Sequence, residues 1–231
     1  MAFKDYRNEV RLILWGNLFG YSKMLHRGSD ILLVGYFADD RITGLYKVAR
    51  SFTDTIYVLF DALNQVYFPR FMQMLSAQDF LAYRGKVRSV IINSGLLVLG
   101  LLGLEALGLS AAVKLILSTK FEGAEGAILI LTIPVFFVLG FHLWYWPIFV
   151  HTGKLQIFTL FSIMASGVQY LTAILAFHFF GADPIWAAAG YLSYYLFLTP
   201  LAVFLAHRIS PQIVSLSSLR FGFLPRNGIG R

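Results

Sequence analysis

Long uncharged runs separated by short polar clusters set the pattern of this chain. Residues 126–150, 155–182 and 184–206 contain no Asp, Glu, Lys or Arg, and 89–113 contains Glu105 as its one charged residue. About 20 apolar residues in a helix cross roughly 30 Å of hydrocarbon, so each of these segments predicts a transmembrane helix. Two more segments, 11–36 and 43–69, are long enough to span but carry several charges. The pattern predicts an all-α, polytopic membrane helix bundle of about six spans within residues 1–207, followed by a basic cytoplasmic tail, 208–231.

The two charged spans hold the candidate chemistry. The first carries Lys23, His26, Arg27 and Asp30 near its middle, where each charge costs roughly 3 kcal/mol on an insertion scale. Lipid cannot be their neighbour, and spacings of three and four make pairing of Asp30 with Arg27 or His26 along one helix face available. On the second span, Lys47, Arg50, Asp54, Asp61 and Gln65 fall within an arc of about 60° at 100° per residue, with Asn64 beside it and Ile56, Leu59 and Phe60 opposite. Such a stripe faces a water-filled cavity or other polar helices. One reading makes Lys23, Arg27, Lys47 and Arg50 a cationic lining for an anionic substrate group, Arg being suited to phosphate. The competing readings have Lys47 and Arg50 snorkelling to the outer headgroups, or the charges neutralising one another. Asp54 and Asp61 are candidates for coupling to an ion gradient; Asp54 has Arg50 and Lys47 to pair with, whereas Asp61 has no basic residue within four positions on its own helix.

Composition agrees with a membrane solvent: 58% of the 231 residues are hydrophobic and 13% charged, outside the range of soluble domains. The net charge of +7 is explained by topology, not by nucleic acid. Lys4, Arg7, Arg11, Arg70, Arg84, Lys86, Arg88, Lys154, Arg208, Arg220, Arg226 and Arg231 fall on one side of the spans, against Arg41, Lys114 and Lys120 on the other, beside Asp39, Asp40, Glu122, Glu125 and Asp183. This asymmetry puts both termini in the cytoplasm and requires an even number of spans. Residues 71–88 read as the longest connector, a basic cytoplasmic loop. Trp144, Tyr145, Trp146 and Trp186 read as interface anchors, or as the scatter of an aromatic-rich chain.

Several classes are excluded or disfavoured. With no cysteine, disulfides, thiolate metal sites and thiol nucleophiles are absent. The N-terminus MAFKDYRNEVR shows no cleavable signal. There is no Walker loop, no HExxH pair and no GxSxG elbow. The five histidines are scattered, so no catalytic residue, metal ligand or cofactor is expected. Glu105, His142 and His178 read as single interhelical contacts, and Pro134, Pro147 and Pro200 as kinks.

The segment DILLVGYFADDRITGLYKVARSFTDTIYVLFDALNQVYFPRFMQML, 30–75, resembles the polysaccharide flippases of the multidrug/oligosaccharidyl-lipid/polysaccharide exporter superfamily. The resemblance rests on Asp30 and Gly35 in an apolar run, then Gly44, Tyr46 and Ala49 at a helix start and Pro69 at its end. It implies export of a lipid-linked oligosaccharide across the bacterial cytoplasmic membrane by alternating access, with membrane lipids as neighbours and no nucleic-acid partner. Such carriers have two six-helix lobes and this chain has room for one. It resembles the second, so the expected partner is another lobe or another copy of the chain. The rival readings are a drug exporter of the same superfamily, which calls for a more acidic cavity, a non-transporting scaffold, and a glycan-modifying membrane enzyme.

Overall fold

The computed structural model describes residues 2–112 and 123–213, and these are helical apart from short turns. The helices are α1 (Ala2–Gly28), α2 (Asp30–Phe37), α3 (Asp40–Ser76), α4 (Phe80–Ala112), α5 (Glu125–Phe137), α6 (Leu143–His151), α7 (Leu155–Phe180) and α8 (Pro184–Ile209), with a π-helical turn, Val138–His142, joining α5 to α6. They make six rods, α1 with α2 and α5 with α6 each counting as one. Four stretches, Phe80–Gly108, Glu125–His151, Leu155–Phe180 and Pro184–Ile209, are long and apolar enough to cross a membrane. The chain is thus an all-α, multi-pass membrane protein, and its two remaining rods are the charged ones. Lys114, Lys120, Glu122, the last residue of the 89–113 span, and the tail cations Arg220, Arg226 and Arg231 lie outside the described residues.

The α5–α6 rod is the centre of the bundle, packed on α3, α4 and α8. Its apolar surface is buried nearly all round, with Ala127, Ile128, Leu131, Val135, Leu139, Ile148 and Phe149 in the core, as expected of a helix without a polar face. α7 packs on α8 along most of its length. The contact is close because of Gly190: a Cβ there would lie 2.8 Å from the Ala173 Cβ and 3.0 Å from the Gln169 carbonyl oxygen. Small residues at such crossings let transmembrane helices approach backbone to backbone. α1 packs mainly on α7, and α3 on α5 and α6, so α1 and α3 barely touch and flank a cleft.

Four features depart from the sequence pattern. The 11–36 span is not one helix but breaks at Ser29. Pro69 does not end α3, which continues to Ser76; the lost backbone bond is outweighed because Phe71 and Leu75 beyond it are fully buried. The expected 71–88 loop is a short turn, since α4 begins at Phe80, where the Asp79 carboxylate accepts from the Ala82 N–H as an N-cap. Trp144 and Tyr145 are core residues, not interface anchors: the Trp144 indole donates to the Gly140 carbonyl at 2.8 Å, taking up an acceptor in the π turn. Trp186 is half-buried and stacks on Phe180.

Candidate functional site

The break at Ser29 organises the site. Ending α1 at Gly28 leaves backbone carbonyls without helical partners, which lipid cannot supply. Ser29 itself and side chains from other helices take them. The Leu25 carbonyl accepts from the hydroxyls of Ser29 and Tyr170, the His26 carbonyl from Gln169 Nε2 at 3.2 Å, and the Arg27 carbonyl from Arg50 Nη2 at 3.3 Å. Asp30 opens α2. Its Oδ1 accepts the Ile31 N–H at 2.9 Å, and its negative charge stands at a helix N-terminus.

Asp30 pairs with neither Arg27 nor His26. Its Oδ2 accepts from Tyr46 OH at 2.8 Å and from Arg50 Nε at 3.0 Å, both on α3. The helix break turns Asp30 away from its expected partners on α1. Arg50 does not snorkel: it is 1% exposed, its Nη1 lies 3.0 Å from Asp54 Oδ1, and its guanidinium sits 4.1 Å from the centre of the Tyr191 ring. The buried face of α3 is Tyr46, Ala49, Arg50, Thr53, Tyr57 and Phe60. Phe60, opposite the polar stripe in the helical projection, therefore belongs to the core. Lys47, Asp54, Asp61 and Gln65 are exposed, centred about 90° round the helix from that face at 100° per residue.

His26 is 2% exposed and fully engaged. Because Gln169 Nε2 donates to the His26 carbonyl, its Oε1, 2.6 Å from Nδ1, accepts the ring proton there. The neutral ring then accepts at Nε2 from Tyr195 OH at 2.9 Å. The ring lies between Tyr191 and Tyr194, with centroids at 4.5 and 3.5 Å and planes within 16° and 12°. Beside it, the Ser22 and Ser162 hydroxyls are 3.1 Å apart, and Ser162 is 2.7 Å from Tyr194 OH. α1, α7 and α8 are thus joined by a polar seam.

Lys23 and Arg27, one turn apart on α1, differ from Arg50. Neither has a carboxylate within ion-pair distance among the described residues. Arg27 lies 4.1 Å from the centre of the Tyr57 ring. Both line a cavity of about 30 Å³ shared with His26, His142, Tyr145 and Tyr195 and walled by aromatic rings. That volume admits one or two waters, and Lys23 and Arg27 stand half-buried at its wall.

Of the four predicted cations, the structure brings Lys23 and Arg27 to one cavity, sets Arg50 in a buried pair, and leaves Lys47 on the outer flank of α3. Asp54 pairs with Arg50, while Asp61 is exposed on the same flank. Glu105 accepts from Thr132 Oγ1 at 2.8 Å, a contact between α4 and α5, and His178 is exposed near the end of α7. Sequence reasoning passed over the seam. Its signals were there: Ser162, Ser166 and Gln169 on α7, and Tyr191, Tyr194 and Tyr195 on α8, recur at helical spacing within uncharged spans.

Six rods, four of them long and apolar enough to cross a membrane, with buried polar side chains joining α1, α3, α7 and α8, define a multi-pass membrane protein with a partly polar interior. A family model described as polysaccharide biosynthesis protein matches residues 1–125, more than half of the chain, and the chain belongs to that family. The match covers α1 to α4, including Lys23, Arg27, Lys47 and Arg50. No curated protein and no solved structure matches the chain.

Proposed function

We propose that the chain is one lobe of a carrier that moves a lipid-linked oligosaccharide precursor across the bacterial cytoplasmic membrane by alternating access. The observation that carries this reading is the pair Lys23 and Arg27, two cations without a carboxylate at ion-pair distance among the described residues, lining one cavity. Uncompensated charge is costly away from water, and an anionic diphosphate headgroup would offset it with charge-assisted hydrogen bonds. Membership of the polysaccharide biosynthesis family supplies the glycan. Drug export fits less well, because the charges lining the cavity are all basic.

In this reading Arg50 acts through Arg27, whose carbonyl it holds, and through the helix break. Lys47, Asp54 and Asp61 stand on the exposed flank of α3, where the headgroup would enter and where Asp61 would exchange ions. The same flank, polar at membrane depth, calls for a second lobe or another copy across it. Both termini face the cytoplasm in this reading.

The test is leaflet-resolved quantification of lipid-linked oligosaccharide in the native host after deletion of the gene and after its restoration. Precursor should accumulate on the cytoplasmic leaflet and clear on restoration. Restoration with Lys23→Met or Arg27→Met should slow clearance at least about tenfold, as loss of a charge-assisted contact of 1.5–3 kcal/mol implies, whereas exposed Arg88→Met should restore fully. An unchanged leaflet distribution on deletion would remove the flippase reading and leave a scaffold.

A further inference from the structure

His142 stands on the cavity wall with Lys23 and Arg27, and the reading above does not use it. It comes from the centre of the bundle, as the last residue of the π turn between α5 and α6. An inserted π turn re-aims the side chains beside it and recurs at functional positions. This one is held in place. The Trp144 indole takes up the Gly140 carbonyl, and a Cβ on Gly140 would meet Phe136 Cε2 of α5 at 3.4 Å and Ser94 Cβ of α4 at 3.7 Å.

The surroundings of His142 are aromatic. Its ring centre is 5.7 Å from those of Phe60 and Trp146, 6.1 Å from Phe158 and 5.4 Å from Tyr145. His26 spends both ring nitrogens on protein groups; neither nitrogen of His142 has a hydrogen-bond partner among the described residues, and neither is sealed from the cavity. A polar ring held at a cavity and lacking a protein partner has its partner in whatever fills that cavity.

Three chemistries therefore meet there: cationic nitrogens from Lys23 and Arg27, aromatic faces, and an imidazole that, when neutral, offers one donor and one acceptor. Phosphate oxygens only accept. A sugar hydroxyl both donates and accepts, and the carbon face of a pyranose is apolar enough to lie on an aromatic ring. Resting on the flippase reading, we propose that His142 is a specificity-determining residue that binds a hydroxyl or amide of the first sugar, with its ring among the aromatic faces and the diphosphate on Lys23 and Arg27. The cavity thus reads the junction of phosphate and sugar, not the phosphate alone. A site built to bond a substrate polar group discriminates strongly against an analogue lacking it, because its own group is left unpaired.

The probes are farnesyl diphosphate and the same lipid bearing N-acetylglucosamine, titrated against the full chain in nanodiscs. Wild type should bind the sugar-bearing lipid at least about tenfold more tightly. His142→Phe, which keeps an aromatic ring of similar size in the packed site, should bind the two lipids about equally while its affinity for bare farnesyl diphosphate stays near wild type. A purely structural role for His142 would weaken both ligands together. Equal binding of the two lipids by wild type, or wild-type discrimination in His142→Phe, overturns the inference and leaves the flippase reading standing. Binding of neither lipid by wild type takes down both.

Discussion

Two arginines on different helices, Arg27 on α1 and Arg50 on α3, show how little residue type alone fixes. Arg27 and Arg50 carry the same charge in neighbouring spans, but Arg50 is paired with Asp30 and Asp54 and Arg27 with no carboxylate. The consequences of losing them differ. Arg50→Leu leaves Asp30, 4% exposed, charged and short of its partner, and breaking a buried pair costs about 3–5 kcal/mol. Thermal unfolding of the purified protein should show that loss. The double variant Asp30→Asn with Arg50→Leu should recover part of it, since coupled neighbours are not additive. The sequence showed that Lys23, Arg27, Lys47 and Arg50 lie in two long charged segments, which the structure forms as helices, because charge and chain position are one-dimensional properties. It could not show which cation had an acid across the helix interface, because that depends on the angle at Ser29.

Helix breaks and close crossings are where the elements escape pattern reading. Hydropathy located every rod, since a run of apolar residues is a strong signal in a membrane chain. It missed the break between α1 and α2 and the π turn, both of which lie inside runs that read as continuous and depend on tertiary partners for the freed backbone groups. Pro69 misled in the other direction. The α7–α8 crossing gives the prediction at this scale. Gly190→Ala sets a methyl 2.8 Å from the Ala173 Cβ and 3.0 Å from a backbone oxygen, and overpacking of this kind costs about 1–3 kcal/mol. Gly167→Ala on α7, with nothing within 4 Å of the added carbon, should be neutral or slightly stabilising. Comparing their melting temperatures checks the crossing.

The whole molecule is unevenly dressed for lipid. α4 and α7 expose large apolar residues such as Leu99, Leu104, Leu171 and Leu175, while the α3 flank exposes Lys47, Asp54, Asp61 and Gln65 beside apolar Val58 and Val66. If that flank meets water or a second lobe across an aqueous cleft, its polar positions are wet in native membranes. The chain has no cysteine, so single replacements report cleanly. Asp61→Cys should react with a charged maleimide in sealed membranes opened to both sides, and Leu171→Cys on exposed α7 should not. Equal resistance of both would mean that protein or lipid seals the α3 flank. This boundary was half legible: the stripe was visible in the sequence, but its separation from the core face of α3 needed the packing.

The interruption at Ser29 has one more consequence, which concerns cost. Three carbonyls that a continuous helix would satisfy by itself are held instead by Tyr170, Gln169 and Arg50. Joining α1 to α2 would restore backbone partners to those carbonyls and at the same stroke release the three side chains. On those three carbonyls, backbone donors would replace side-chain donors. A chain moving between the two arrangements keeps those carbonyls satisfied at each end of the motion, in a medium where an unsatisfied group is too expensive to carry.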